Sequence, residues 1–148
     1  MIDHFIHRCF DLARLGIGKV APNPAVGAVI VYQGKIIGEG FHEMYGKAHA
    51  EVNTIASVAP GDEWKIPHST IYISLEPCNI HGNTPPCTDL ILNKKIPRVV
   101  VAQRDLTPGV NGAGLNRLRA AGVEVIEAVL AEDGQRFCNP RNIFVSQQ

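Results

Sequence analysis

Ala25–Tyr32 (AVGAVIVY), the pair Gln33-Gly34 and Lys35–Phe41 (KIIGEGF) decide the fold. The first stretch is rich in β-branched residues, the pair makes a tight turn, and the second stretch returns as a strand. Ahead of this hairpin, Asp3 to about Arg14 has the helical period, with Phe5, Ile6, Cys9, Phe10, Leu12 and Ala13 on one side. Ala21-Pro22-Asn23-Pro24 joins the two as a rigid loop, because each proline fixes its own φ and restrains its predecessor.

Beyond the hairpin, helix and strand alternate. Ala48–Val58 reads as a helix closed into a loop at Pro60-Gly61-Asp62, and Ser69–Leu75 as a strand. Glu76–Pro86 reads as a loop, Cys87 to about Lys94 as a helix opening after two prolines, and Val99–Ala102 as a strand. Gly114–Ala121 is then predicted helical, Val123–Val129 a fifth strand, Ala131–Phe137 a last short helix and about 139–148 a loose tail. The order α-β-β-α-β-α-β-α-β-α implies an α/β protein with a five-stranded mixed sheet between helices on both faces.

The 148 residues suit one domain spanning 1–148, with 45% apolar and 19% charged residues. No apolar run approaches the ~20 residues that span a bilayer, and no basic n-region leads into an apolar stretch, so a cytoplasmic protein is expected. With 14 basic and 14 acidic residues the net charge is zero, which argues against a dedicated nucleic-acid binder.

The chemistry lies in His49-Ala50-Glu51, Pro77-Cys78 and Cys87. One imidazole and two thiolates leave a tetrahedral zinc one ligand short, and a catalytic zinc keeps that position for water. Glu51, two residues from the histidine, is placed to move that water's protons. His-x-Glu followed by Pro-Cys and a second Cys is the signature of zinc nucleobase deaminases, with thiols spaced Cys-x-x-Cys. Here eight residues separate Cys78 from Cys87. Taken alone the two would pass for structural cysteines; with His-Ala-Glu upstream, the metal reading is the stronger. A purely structural zinc would need a fourth protein ligand, for which His42, His81 and Cys138 are the candidates. Cys9 reads as core, His4, His7 and His68 as surface, and the glycine-rich Gly109–Gly114 as a turn, since it lacks a strand-GxGxxG-helix context.

Longer stretches surround these residues: Pro22-Asn23-Pro24-Ala25-Val26-Gly27-Ala28-Val29, Ile37-Gly38-Glu39-Gly40-Phe41-His42, Ala48-His49-Ala50-Glu51-Val52-Asn53, Leu75-Glu76-Pro77-Cys78, Gly82 and Thr84-Pro85-Pro86-Cys87. Through them the chain resembles the deaminase domain of bacterial riboflavin-biosynthesis bifunctional deaminase/reductases, from the first helix to about Phe137 and without a counterpart to the reductase domain. The resemblance implies a cytidine-deaminase-like three-layer α/β/α fold and zinc on His49, Cys78 and Cys87. It implies proton transfer by Glu51, and hydrolytic deamination of a diaminopyrimidinone ribosylamino 5′-phosphate. Substrate contacts then fall at Asn23, His42 and Ala50, and at Asn79, His81, Asn83 and Thr107. A homodimer or larger homo-oligomer is implied as well. Asn79, Ile80 and Asn83 stand where the family has Ser, His and Lys/Arg, and Asp105-Leu106-Thr107-Pro108 where it has Asp-Pro-Asn-Pro. Lys47, His81 and Arg104 are the other groups that could meet a phosphate. The same chemistry would serve a base, nucleoside or pterin without phosphate. A tRNA-adenosine deaminase would want Cys-x-x-Cys and a basic surface instead.

Overall fold

The computed structural model describes residues 2–79, 86–104 and 111–127. Its elements are α1 (Ile2–Arg14), β1 (Gly27–Tyr32), β2 (Lys35–Phe41), α2 (Ala50–Ala56), a 3-10 helix (Pro60–His68), β3 (Thr70–Ile73), α3 (Cys87–Asn93), β4 (Arg98–Val101), α4 (Ala113–Ala120) and β5 (Glu124–Glu127). The predicted last helix, Ala131–Phe137, and the tail lie outside the described residues.

The strands form one mixed sheet in the order β2-β1-β3-β4-β5. β1 is antiparallel to β2 and β3, while β3, β4 and β5 run parallel. The hairpin turn has Gln33 at φ 49° and Gly34 at φ 80°. Two successive left-handed residues match the twist of the flanking strands. Side chains alternate faces along each strand. Ala28, Ile30, Ile71, Ile73, Val99 and Val101 pack under α2, α3 and α4 through Ala50, Ile91, Leu115 and Leu118. Val29, Tyr72 and Val100 face α1 and its Phe5, Ile6, Cys9 and Phe10. The expected helices on both faces are therefore present. Among the described residues no helix is long and apolar enough to cross a membrane.

Two readings need correction. The segment after α2 is a 3-10 helix rather than a loop, with Pro60 pre-set at its start and Asp62 and Glu63 in its first turn. The helix predicted from Ala48 begins at Ala50 instead, leaving His49 as an extended N-cap at φ −70°, ψ 166°. That geometry places the imidazole at the mouth of α2 rather than on its side.

α2 lies almost on the backbone of β2. A Cβ on Gly40 would fall 2.6 Å from the Thr54 nitrogen and 2.9 Å from the Asn53 carbonyl carbon. Because backbone cannot yield as a side-chain tip can, Gly40→Ala is expected to destabilise the protein by ~1–3 kcal/mol, read as a lower urea midpoint at unchanged m-value.

Candidate metal centre

The parallel strands β3 and β4 end on one rim of the sheet, where ligands of open α/β sheets usually bind. The neighbouring antiparallel strands bring their connections to the same rim. Gly27 N–H donates to Ser74 Oγ at 3.0 Å, Ser74 N–H to the Gly27 carbonyl at 3.0 Å, and His42 N–H to the Val26 carbonyl at 3.0 Å. Asn53 ties α2 to this rim, its amide donating to the carbonyls of Phe41 at 2.9 Å and Ala48 at 3.3 Å.

His49, Cys78 and Cys87 converge there, their potential ligand atoms all within 4.8 Å of one another. His49 Nδ1 lies 3.7 Å from Cys78 Sγ and 3.4 Å from Cys87 Sγ. Zinc–sulfur and zinc–nitrogen bonds of tetrahedral geometry require an S···N edge of about 3.5 Å. The observed edges therefore fit a zinc ion held by these three residues with a fourth position left open.

The electrostatics also suit a cation. Cys87 N–H, at the start of α3, donates to Cys78 Sγ at 3.1 Å. Hydrogen bonds from Cys87 and His49 bring the Cys78 thiol down to about 4 despite burial. Cys87 moves the other way, raised by its contact with Cys78, by burial and by the charge of Glu51. His49 is raised, chiefly by its hydrogen bond to Cys78. Glu51 is only 4% exposed, and its burial pushes it up to about 7. Two thiols and a carboxyl group so close together resist ionising at once, and a divalent ion is what relieves the repulsion.

Among the other expected site residues, Asn23, His42 and Ala50 gather beside this cluster. His42 is buried, its ring edge-on to His49 with centroids 5.3 Å apart. His42 Nδ1 lies 3.0 Å from the Ala48 carbonyl, which can only accept, so Nδ1 carries the proton. Its Nε2 lies 3.4 Å from the Asn23 amide nitrogen. Ala50 is fully buried as the first residue of α2. Asn79 turns its amide oxygen to Thr88 Oγ1 and Arg117 Nη1, both at 3.0 Å. His81, Asn83 and Thr107 lie outside the described residues, as does Cys138. Arg104 is engaged by Glu127 at 2.5 and 3.0 Å.

Residues 2–103 match the family model of the cytidine and deoxycytidylate deaminase zinc-binding region. The chain belongs to this zinc deaminase family. A deaminase of this kind is hydrolytic and uses zinc, in agreement with the three convergent ligands. It is 47% identical over 132 residues to the riboflavin biosynthesis protein RibD of Synechocystis, covering 89% of this chain and 35% of that one. It is 40% identical over 133 residues to the diaminohydroxyphosphoribosylamino-pyrimidine deaminase of Buchnera aphidicola, covering 90% of this chain and 88% of that one. The solved diaminohydroxyphosphoribosylaminopyrimidine deaminase/5-amino-6-(5-phosphoribosylamino)uracil reductase of Thermotoga maritima superposes with a TM-score of 0.87 at 44% identity, covering 99% of this chain and 41% of that one. The deaminase thus spans about a third of the length of the cyanobacterial relative, but most of the Buchnera protein.

The sequence reading assigned no role to Glu76, Thr88 or Arg117, although all three brace the cysteine segments. Glu76 stands directly before Pro77-Cys78, and that adjacency was the available signal. Removal of one thiolate should be enough to lose the ion. Cys87→Ser is expected to fall from about one zinc per chain to a small fraction after dialysis against a chelator, measured by elemental analysis, whereas Glu51→Gln keeps its zinc.

Proposed function

We propose that this deaminase removes an exocyclic amine, as ammonia, from a diaminopyrimidinone ribosylamino 5′-phosphate of riboflavin biosynthesis. The observation that carries this reading is the match, over 88% of its length, to a Buchnera protein named for that reaction. The convergence of His49, Cys78, Cys87 and Glu51 supports the chemistry.

His49, Cys78 and Cys87 would hold the zinc, which supplies a Lewis acid able to lower the pKa of water from ~15.7 toward ~7. Glu51 takes one proton from the attacking water and gives it to a ring nitrogen. It then takes the second proton from the hydroxyl now on the ring carbon and gives it to the amine, which leaves as ammonia while the carbonyl forms. Burial favours this shuttle, because desolvation raises the carboxyl group above its ordinary value and helps it hold a proton between the two transfers. Asn23 and His42 orient the heterocycle. With Nδ1–H committed to Ala48, His42 Nε2 accepts from the Asn23 amide, so the Asn23 oxygen is the group offered to a ligand's amine. The backbone of Ala50 completes the bed.

Asn79, His81, Asn83 and Thr107 belong to this reading as further substrate contacts, with the amide oxygen of Asn79 already shared by Thr88 and Arg117. A single sheet carrying all the described strands supports one domain over residues 1–148. Thiolate ligands favour a reducing, cytoplasmic setting. Exposed Leu15, Met44, Tyr45 and Val52 favour a homodimer or larger homo-oligomer.

The test is ammonia release from the diaminopyrimidinone phosphate, run beside its dephosphorylated form and a panel of bases, nucleosides and pterins. Turnover confined to a compound of that panel would overturn the substrate while leaving the chemistry. Glu51→Gln is expected to lower kcat by ~10²–10⁴-fold on whichever compound is turned over, measured by steady-state kinetics on zinc-loaded protein.

A further inference from the structure

Helix α4 supplies no ligand, yet both residues flanking Pro77-Cys78 are tied to it. Upstream, Glu76 is 5% exposed and its carboxylate bridges the start of α4. Oε1 accepts from Gly112 N–H and Oε2 from Gly114 N–H, each at 2.9 Å. Gly112 is the N-cap of α4, so these are two of the donors that the first turn leaves without a partner. Glu76's own N–H donates to the Gln103 carbonyl at 2.8 Å, just past β4. The approach is close enough that a Cβ on Gly114 would fall 2.5 Å from the carbonyl oxygen of Pro77. Downstream, Asn79 Oδ1 accepts from Arg117 Nη1 at 3.0 Å, and Arg117 Nη1 also reaches Thr88 Oγ1 at 2.9 Å. Arg117 pairs with Asp89 of α3 as well. The start of α4 and one arginine on it therefore grip the chain before Cys78, after Cys78 and after Cys87.

We infer that Glu76 is the positioning residue of the metal centre: by bridging Gly112 and Gly114 it fixes the direction from which Cys78 meets the ion. It touches neither metal nor substrate and acts through the rigid Pro77 link. This goes beyond the zinc reading and rests on it. A carboxylate is needed because both donors point at it. An amide in its place accepts one N–H and sets its own NH₂ against the other. Residues that orient metal ligands from behind typically cost 10–100-fold in metal affinity when changed, whereas loss of a helix cap alone would cost only stability.

The test uses the full chain stripped of metal by chelation. It is titrated with Zn²⁺ against a competing chromophoric chelator, and with Co²⁺ to read the visible bands of the thiolate-bound ion. Glu76→Gln is expected to raise the zinc dissociation constant by ~10–100-fold and to shift the Co²⁺ bands, with Glu76→Asp falling between it and the parent. Leu118→Ala provides the control, since Leu118 is fully buried on the same helix and its loss lowers thermal stability without touching Glu76. Its zinc affinity and Co²⁺ spectrum are expected to match the parent. Parent-like affinity and spectrum in Glu76→Gln would overturn the assignment. So would a loss in Leu118→Ala as large as that in Glu76→Gln, because the effect would then be one of general stability. If the parent chain took up no zinc, the metal reading itself would fall and this inference with it.

Discussion

Two thiols and a buried carboxyl group are packed around one imidazole, and that crowding constrains everything near it. In isolation such a cluster ionises only in part. Cys78 is held low, while Cys87 and Glu51 are driven up. Hydrogen bonds to Cys78 and burial of Cys87 and Glu51 set these directions, with mutual repulsion adding to them, and a dication at the open face of the triad would favour the ionised forms. Two of its members stand at helix starts, where backbone N–H groups favour negative charge. Cys87 heads α3 and lends its N–H to Cys78, and His49 precedes the first turn of α2. Charge and scaffold are thus matched before any substrate arrives.

Holding those segments in register falls to groups that do no chemistry. Gly40 lets α2 lie on β2, and Asn53 fastens that helix to the carbonyls of Phe41 and Ala48. On the far side, Glu76 and Arg117 link the cysteine segments to α4. The imidazole and the thiols are therefore positioned by separate frames that meet at the ion, with the sheet as common reference. The apolar layers set the distance between frames, and the polar bridges set the angle.

What could be read from sequence was whatever is local. The hairpin was legible because β-branched alternation and Gln33-Gly34 act over a few residues, and β2 spans Lys35–Phe41 as expected. The triad was legible because ligand type is written in side chains and needs no knowledge of distance. Phe5, Ile6, Cys9, Phe10, Leu12 and Ala13 are all buried, as the helical period of α1 required. The rest depended on partners far along the chain. Glu76 gains its role only when Gly112 and Gly114 arrive beside it, and the glycine-rich stretch that read as a bare turn proved to include the donors of that bridge. His49 was read as the second residue of a helix that begins only at Ala50, and the 3-10 geometry of Pro60–His68 carries no apolar periodicity to betray it.

The spacing of the ligands also bears on how the chain holds together. His49 lies before β3, and both cysteines lie after it, 29 and 38 residues downstream. An ion joining them closes a 29-residue loop that contains the strand at the centre of the sheet, β3, which pairs antiparallel to β1 on one side and parallel to β4 on the other, and a shorter loop between the two cysteines. Closing loops of that length removes a share of the disordered chain's freedom, much as a cross-link would, and the sum grows only slowly with loop length. Because the unfolded chain has no such preformed cage, part of the affinity for metal is affinity for the folded sheet. An ion held by these three residues would thereby act as a reversible staple of the sheet as well as a Lewis acid.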